Sequence, residues 1–304
     1  CQRDGCDYNT KVEIPANGKH SYVCDVCTTC NGLNPVRYTR DGNYIYFGYW
    51  PQTREKDENV IAELNAIAGT PPLPRDKANP YNWESHEGTT YMWQKIVIYN
   101  GTKYLGVQMN DYRANGIDAL YDKITDNGYY KLHVYWFKYE PIKWRILTTN
   151  ENSAFIMSDI ALDFFSMQPN RKSEIRDDLL ASYNNSTGVP DGIYANNWEY
   201  SFIRSWLNET FYNEVFNDLQ KEIIQTTHLD NSARSCNPDE YPKYYGYGEN
   251  AGKNKYADQC KDTDDKIFLL SLRDITTTAY GFNKDVLAED PARNLQATDF
   301  AKLH

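Results

Sequence analysis

The cysteines are the residues whose spacing admits the fewest chemistries. Cys1-x4-Cys6 opens the chain, and Cys27-x2-Cys30 follows inside "CDVCTTCNG". Two close thiol pairs joined by a short segment have the spacing of a zinc ribbon. The ion takes four soft ligands at tetrahedral corners, and each tight turn delivers two. Gly5 and Gly32 supply the backbone freedom such turns use. The spacing assigns Cys1, Cys6, Cys27 and Cys30 to one structural zinc site, with His20 and Cys24 as substitute ligands. Two alternatives stay open: disulfides stapling a small secreted module, and a lipid anchor on Cys1. The lipid reading fits less well, because the module starts at once with no spacer after the cysteine. The expectation is instead that residue 1 is a cut through a longer chain.

Cys236 and Cys260 stand apart. They flank "NPDEYPKYYGYGENAGKNKYADQ", a polar loop dense in Gly, Asn, Lys and Tyr and without apolar periodicity. A loop of this length needs a staple. A Cys236–Cys260 disulfide would supply one, contributing about 3 kcal/mol in the chain-entropy picture. With these assignments Cys24 is left over.

Residues suited to catalysis do not assemble into a motif. His20, His86, His133, His228 and His304 are scattered, and neither a Gly-x-Ser-x-Gly elbow nor a phosphate-cradling loop is present. Asp264-Asp265 could serve glycoside hydrolysis or offer oxygens to calcium. Their setting, "KDTDDK", lacks calcium-loop spacing and reads as a solvated loop. Ser201, Arg204, Trp206 and Asn208 look like a site on paper. Their helical spacing makes Trp206 a core residue and Arg204 an anchor for a carboxylate inside the fold.

The elements that must position these residues read as α+β. In the first module, "KVEIPANGKHSYVC" predicts strand, turn at Pro15-Ala16-Asn17-Gly18, and strand, the hairpin that brings the cysteine pairs together. "YIYFGYWPQT" begins as a strand that should break at Pro51. "EKDENVIAELNAIAG" is a helix with Val60, Ile61, Leu64 and Ile67 inward and Gly69 at its end. "KIVIYNGTKYLGVQM" is a hairpin turning at Asn100-Gly101. Val134–Glu140 and Ile142–Leu147 read as two strands, followed by a turn at Asn150-Glu151-Asn152 and a strand over Ala154–Ser158. "YSFIRSWLNETFYNEVF" is helical with Ser201 as cap. "NDLQKEIIQTT" is a second short helix, and "DKIFLLSL" a buried strand. Residues 1–36 form a cysteine module and residues 37–304 a mixed domain. The turn-rich link from Asn31 to Asn43 makes the two separable.

Composition limits the partners. The chain of 304 residues carries 32 basic and 42 acidic side chains, a net charge of −10. Nucleic acid and anionic lipid both call for a basic face, so neither is expected. No run of apolar residues is long enough to span a membrane. Abundant tyrosine suits a β-rich extracellular protein.

"YIYFGYWPQT", "VYWFKYEPIKWRIL", "SFIRSWLNETFYNEVFNDLQKEIIQTT", "DKIFLLSLRD" and "ARNLQATDFAKLH" occur as ordered blocks from Tyr44 to His304. Together they resemble a family of bacterial surface-protein domains of unknown function, distantly similar to the C-type lectin-like fold shared with formylglycine-generating enzymes. The cysteine module resembles the degenerate zinc-ribbon repeats that precede such domains. Family members continue past the "TDFAKLH" position into a Trp-rich stretch and a closing strand, so the expectation is that this chain is a fragment. The resemblance implies an extracellular or cell-surface module that binds glycan or protein and has no established reaction. Aromatic side chains suit sugar faces. Two alternatives stand beside it. One is a structural subunit of a surface layer or fibre. The other is an enzyme on a formylglycine-generating-like scaffold, whose chemistry uses a late cysteine pair; here only Cys236 and Cys260 could fill that role.

Overall fold

The computed structural model describes residues 20–69, 91–109, 128–129, 133–164, 197–237 and 260–303. Cys1, Cys6, the expected turn at Pro15–Gly18, His86 and His304 lie outside these residues. A two-residue hairpin, β1 (Tyr22–Val23) and β2 (Val26–Cys27), comes first. β3 (Thr39–Asp41), β4 (Tyr44–Arg54), β5 (Tyr91–Tyr99), β6 (Thr102–Met109), β7 (Val134–Thr149) and β8 (Ala154–Ser158) then build a six-stranded sheet in the order β3-β4-β7-β6-β5. β8 pairs with β7 beyond the point where β6 ends. Every pairing in this sheet is antiparallel. With its helices, the chain has an α+β fold.

β7 is covered on both faces, which is why it reads "VYWFKY" rather than as a polar–apolar alternation. Trp136 faces one side, onto helix α1 (Glu58–Ala68), with Leu64, Val97 and Tyr104. Tyr135 and Phe137 face the other, onto Phe300 and a helical layer carrying Ile203, Leu207, Phe211 and Val215. Phe137, Ile142, Val107 and Leu303 are fully buried. Each such side chain stabilises the fold by roughly 2 kcal/mol through the area it removes from water.

α1 starts where Asp57 accepts from the Asn59 and Val60 N–H groups and stops at Gly69, whose N–H reaches the Asn65 carbonyl. Val60, Ile61 and Leu64 face inward as expected. Ile67 does not: it is 54% exposed, and Ala68 packs in its place. The helical layer opens with α2 (Phe202–Ser205), capped by Ser201 as expected. It passes through a π-helical turn (Trp206–Phe211) into α3 (Tyr212–Val215). α4 (Asp218–Lys221) follows, closed by a reciprocal cap between Asn217 and Gln220. α5 (Ala233–Cys236) comes later, and four short strands lie beyond the sheet: β10 (Thr227–Leu229) pairs with β11 (Thr263–Asp265), and β9 (Ile160–Ala161) with β12 (Gln296–Ala297).

Three strand expectations are corrected. β4 does not break at Pro51, and β7 runs unbroken through Pro141. Pro51 pairs with Tyr139 and Pro141 with Tyr49 on one ladder. β6 pairs with β7 only up to Lys138, and β8 only from Trp144 on. On the other side of β4, β3 pairs only with residues 44–46, so neither proline is asked for an N–H on its other side. "DKIFLLSL" is not a buried strand: pairing ends at Asp265, and Leu269 is 53% exposed. The sheet bends at Gly48, where β4 holds one residue more than β7 between the Tyr46 and Tyr49 pairs. Gly48 has φ +69°, and a Cβ there would stand 2.6 Å from both Val215 and Phe216, so only glycine fits the bulge. Trp144 Nε1 donates to the Phe47 carbonyl at 3.0 Å and holds the bend.

Candidate metal centre

The β1–β2 hairpin turns on Cys24 and Asp25, both in the left-handed region at φ 47° and 62°. That is the geometry of the tight turn whose twist suits a two-residue connection. After β2 the chain doubles back. The Cys27 N–H donates to the Gly32 carbonyl at 2.9 Å, the Asn31 N–H donates to the Cys27 carbonyl at 3.0 Å, and Asn31 takes φ 57°. This loop wraps backbone N–H groups around the Cys27 sulfur. Gly32 sits so close to Cys30 that a Cβ would lie 3.3 Å from its sulfur.

His20 completes the cluster. Its Nδ1 lies 3.3 Å from Cys27 Sγ and 3.8 Å from Cys30 Sγ. The donor atoms of His20, Cys27 and Cys30 all fall within 4.8 Å of one another, so the triad can hold a metal ion. The imidazole hydrogen bond, followed by the backbone N–H groups of Cys30 and Thr29, pulls the Cys27 thiol down to about 6. The sulfur is therefore favoured as thiolate, the form that ligates metal. Of the four expected zinc ligands, the structure brings Cys27 and Cys30 together and adds His20. Cys24 is excluded from the cluster: its half-buried thiol is pushed up to about 11 by burial, and its place is in the turn. The positive φ that decides this carries no local sequence signal at a cysteine.

The other sequence-derived candidates serve the frame. Arg204 does hold an internal carboxylate. Its Nε donates to Asp265 Oδ1 at 2.8 Å, and Trp198 Nε1 and Thr263 Oγ1 donate to Oδ2 at 2.9 and 2.7 Å. Asn208, aimed by the π-turn, accepts from the N–H groups of Lys266 and Ile267 and donates to the Ile267 carbonyl. It does for this loop what a neighbouring strand would otherwise do. Trp206 packs against the core. "KDTDDK" is corrected from a solvated loop to the strand β11 with opposed faces: Asp265 is 1% exposed, while Asp264 points outward to His228 at 2.9 Å. The His228 ring also faces Asp262 at 3.5 Å. The hydrogen bond to Asp264 first, and then the charges of both carboxylates, raise the imidazole pKa. Asp264 and Asp265 thus do not converge on one ion or one sugar.

Cys236 and Cys260 are free thiols in this structure. Cys236 Sγ points to the Asp230 carbonyl at 3.6 Å, and Cys260 Sγ accepts from the Glu199 N–H at 3.4 Å. Burial, and then the neighbouring Cys260, raise the Cys236 thiol to about 11. Cys260 is likewise raised by burial. Among the described residues no helix is long and apolar enough to cross a membrane.

A family model for a domain of unknown function, DUF6273, matches residues 151–302, half of the chain. The match covers the helical layer, the Arg204–Asp265 contact and the Asn208 loop, and leaves the hairpin of His20, Cys27 and Cys30 outside it. No curated protein and no solved structure matches the chain.

Proposed function

We infer a binding role from one premise: the chain belongs to the family of the domain of unknown function DUF6273. On this reading it is a non-enzymatic extracellular or cell-surface module that recognises a glycan or a protein. A C-type lectin-like mixed domain would carry the binding surface and a zinc-ribbon-like module would precede it. The observation that supports this is the use made of the family region's polar residues. Ser201, Arg204, Asn208 and Asp265, the group that most resembles a reactive site in sequence, hold helix, strand and loop together. Such internal bonding fixes a rigid platform. The enzyme alternative would need a reactive thiol pair, whereas burial favours the protonated, unreactive form at Cys236 and Cys260. In an oxidising exterior these two would instead close their loop as a disulfide.

At the hairpin, two thiolates and an imidazole are the donor set of zinc. Cys27, Cys30 and His20 would hold three corners of the ion, with Cys1 or Cys6 as the fourth ligand. The ion would supply folding energy to a module too small to hold itself by apolar burial. A glycan array and a pull-down from cell-surface extract test the binding role. Selective capture of a glycan or a surface protein is expected, and retention of neither would overturn it. Elemental analysis tests the metal: one zinc per chain, lost in Cys27→Ser, is expected, and a metal-free protein with oxidised thiols would overturn it.

A further inference from the structure

We propose that the hairpin is a metal-dependent clasp, in which metal binding at His20, Cys27 and Cys30 and docking of Asp25 into a socket on the main domain are one coupled event. The proposal rests on the metal reading above. The β1–β2 ladder has only two residue pairs, Tyr22 with Cys27 and Val23 with Val26. A ribbon this short does not hold its own shape in water. Its turn also places two non-glycine residues, Cys24 and Asp25, in the left-handed region that L side chains disfavour. Contacts from outside the hairpin must fix it at both ends.

At the turn the contact is Asp25. Its side chain is buried, and its carboxylate accepts from Gln220 Nε2 at 2.9 Å, Asn34 Nδ2 at 3.0 Å and Tyr49 Oη at 3.4 Å. Its own carbonyl accepts from the Asn34 N–H at 2.8 Å. Gln220 is 1% exposed, and its other end accepts from the Asn217 N–H at 3.2 Å. The amide is thus locked in place with its donor aimed at one carboxylate. A buried, pre-oriented donor of this kind is a built acceptor site for Asp25. Tyr49 comes from β4 and Gln220 from α4, so the socket belongs to the sheet domain and its helical layer. Val23 is buried beside the turn.

At the far end the contact is the metal cluster. Cys27 lies two positions beyond Asp25 and opposite Tyr22, so any change in the turn shifts the Cys27 sulfur relative to His20. Both contacts grip the same short ribbon, and each therefore prepays the ordering that the other needs. Linkage requires the effect to be reciprocal: what docking adds to metal affinity, metal adds to docking by the same factor.

The test is zinc affinity of the full chain, read by competition with a chromophoric chelator, for wild type, Gln220→Met and Tyr49→Phe. Neither altered residue touches the metal cluster. Gln220→Met, which keeps length but removes the donor, is expected to weaken zinc binding about tenfold, within the usual range of coupling between sites. Tyr49→Phe, whose bond is the longest, should weaken it less, by about threefold. Chelation of wild type should in turn raise hydrogen exchange at Asp218–Lys221. If Gln220→Met fails to fold, Tyr49→Phe and the chelation experiment decide. Affinities within twofold of wild type in the folded variants, or unchanged exchange on chelation, would overturn the clasp while leaving the metal site standing. A wild type that binds no zinc would overturn both.

Discussion

Two regions of the molecule solve the same problem with different materials. In the hairpin of residues 20–36 the buried apolar-type side chains are Val23 and Cys27, and Asp25 is buried beside them. In the sheet, Trp50, Val107, Phe137, Ile142 and Phe300 interlock through ring contacts such as Phe137–Phe300 at 5.2 Å and Trp50–Phe211 at 5.2 Å. A hydrophobic core is non-directional and tolerates local change, because each contact is a small part of the whole. A carboxylate in a socket and three side chains around the proposed ion are few and directional, so each depends on the others. The sheet should therefore lose stability in proportion to what is removed, and the hairpin should lose it in steps.

The family region borrows the second strategy at Asp265, and there the largest effect is expected. Asp265→Ala leaves Arg204, Trp198 and Thr263 facing a cavity without an acceptor. The cost should be about 3 kcal/mol, the lower end for breaking a buried pair because Arg204 is partly exposed. The neighbouring Asp264→Ala removes an exposed charge and should leave the melting temperature where it is. Denaturant unfolding of the two variants checks this. Equal losses would mean that the strand's two faces are not distinct.

This pair also marks how far the sequence could be read. Arg204 is legible as a carboxylate anchor because its helix is amphipathic and its charge falls on the inner side. Its partner is not legible, since "DDK" gives both aspartates the same local setting and only the β10–β11 pairing decides which one turns inward. The same division runs through the fold. α1 and the Asn100-Gly101 turn are set by neighbours a few residues away, and the structure agrees with them. The uninterrupted β4 and β7 depend on where β3 stops pairing with the one and β6 and β8 with the other, a long-range fact that proline statistics along one strand do not contain. Likewise the Cys27-x2-Cys30 spacing announces a ligand pair. That His20 stands 3.3 Å away while Cys24 turns into the domain follows from a reversed turn, for which neither residue type is a signal.

A smaller effect should appear on the α1 side of the sheet, where the core again contains a directional group. Glu55 accepts from the Lys56 and Asp57 N–H groups at 2.9 and 3.0 Å, from Tyr104 Oη at 3.2 Å, and pairs with Lys138 at 3.1 Å. Burial acts to raise its pKa. The two N–H groups and the Lys138 ammonium outweigh burial and hold the carboxyl below its ordinary 4.5. A depressed carboxyl contributes its full stability above that ordinary value, and the contribution disappears as pH falls through the lower folded one. Glu55→Gln should cost about 2 kcal/mol near neutral pH, the scale of a hydrogen bond to a charged group. It should also flatten the decline in stability below about pH 5. Stability curves that fall in parallel for wild type and variant would show that Glu55 is not what titrates.

The smallest effect separates the regions most sharply, because it asks what one methyl group does in the hairpin. In Gly32→Ala the new Cβ would meet Cys30 Sγ at 3.3 Å, tighter than ordinary contact but not a collision, and Cys30 is exposed, so its side chain can yield. A sheet would register such a change as lost packing. Here it should register as a displaced ligand: zinc affinity about threefold weaker, about 0.65 kcal/mol, and unchanged melting of the zinc-free protein. With zinc in excess the variant should melt slightly earlier, because the weaker site stabilises the folded form less by mass action. The measurement is a pair of melting curves, one at excess zinc and one after chelation. A drop of equal size in both would place Gly32 in the packed part of the molecule and erase the distinction between a region held by burial and one held by ligands.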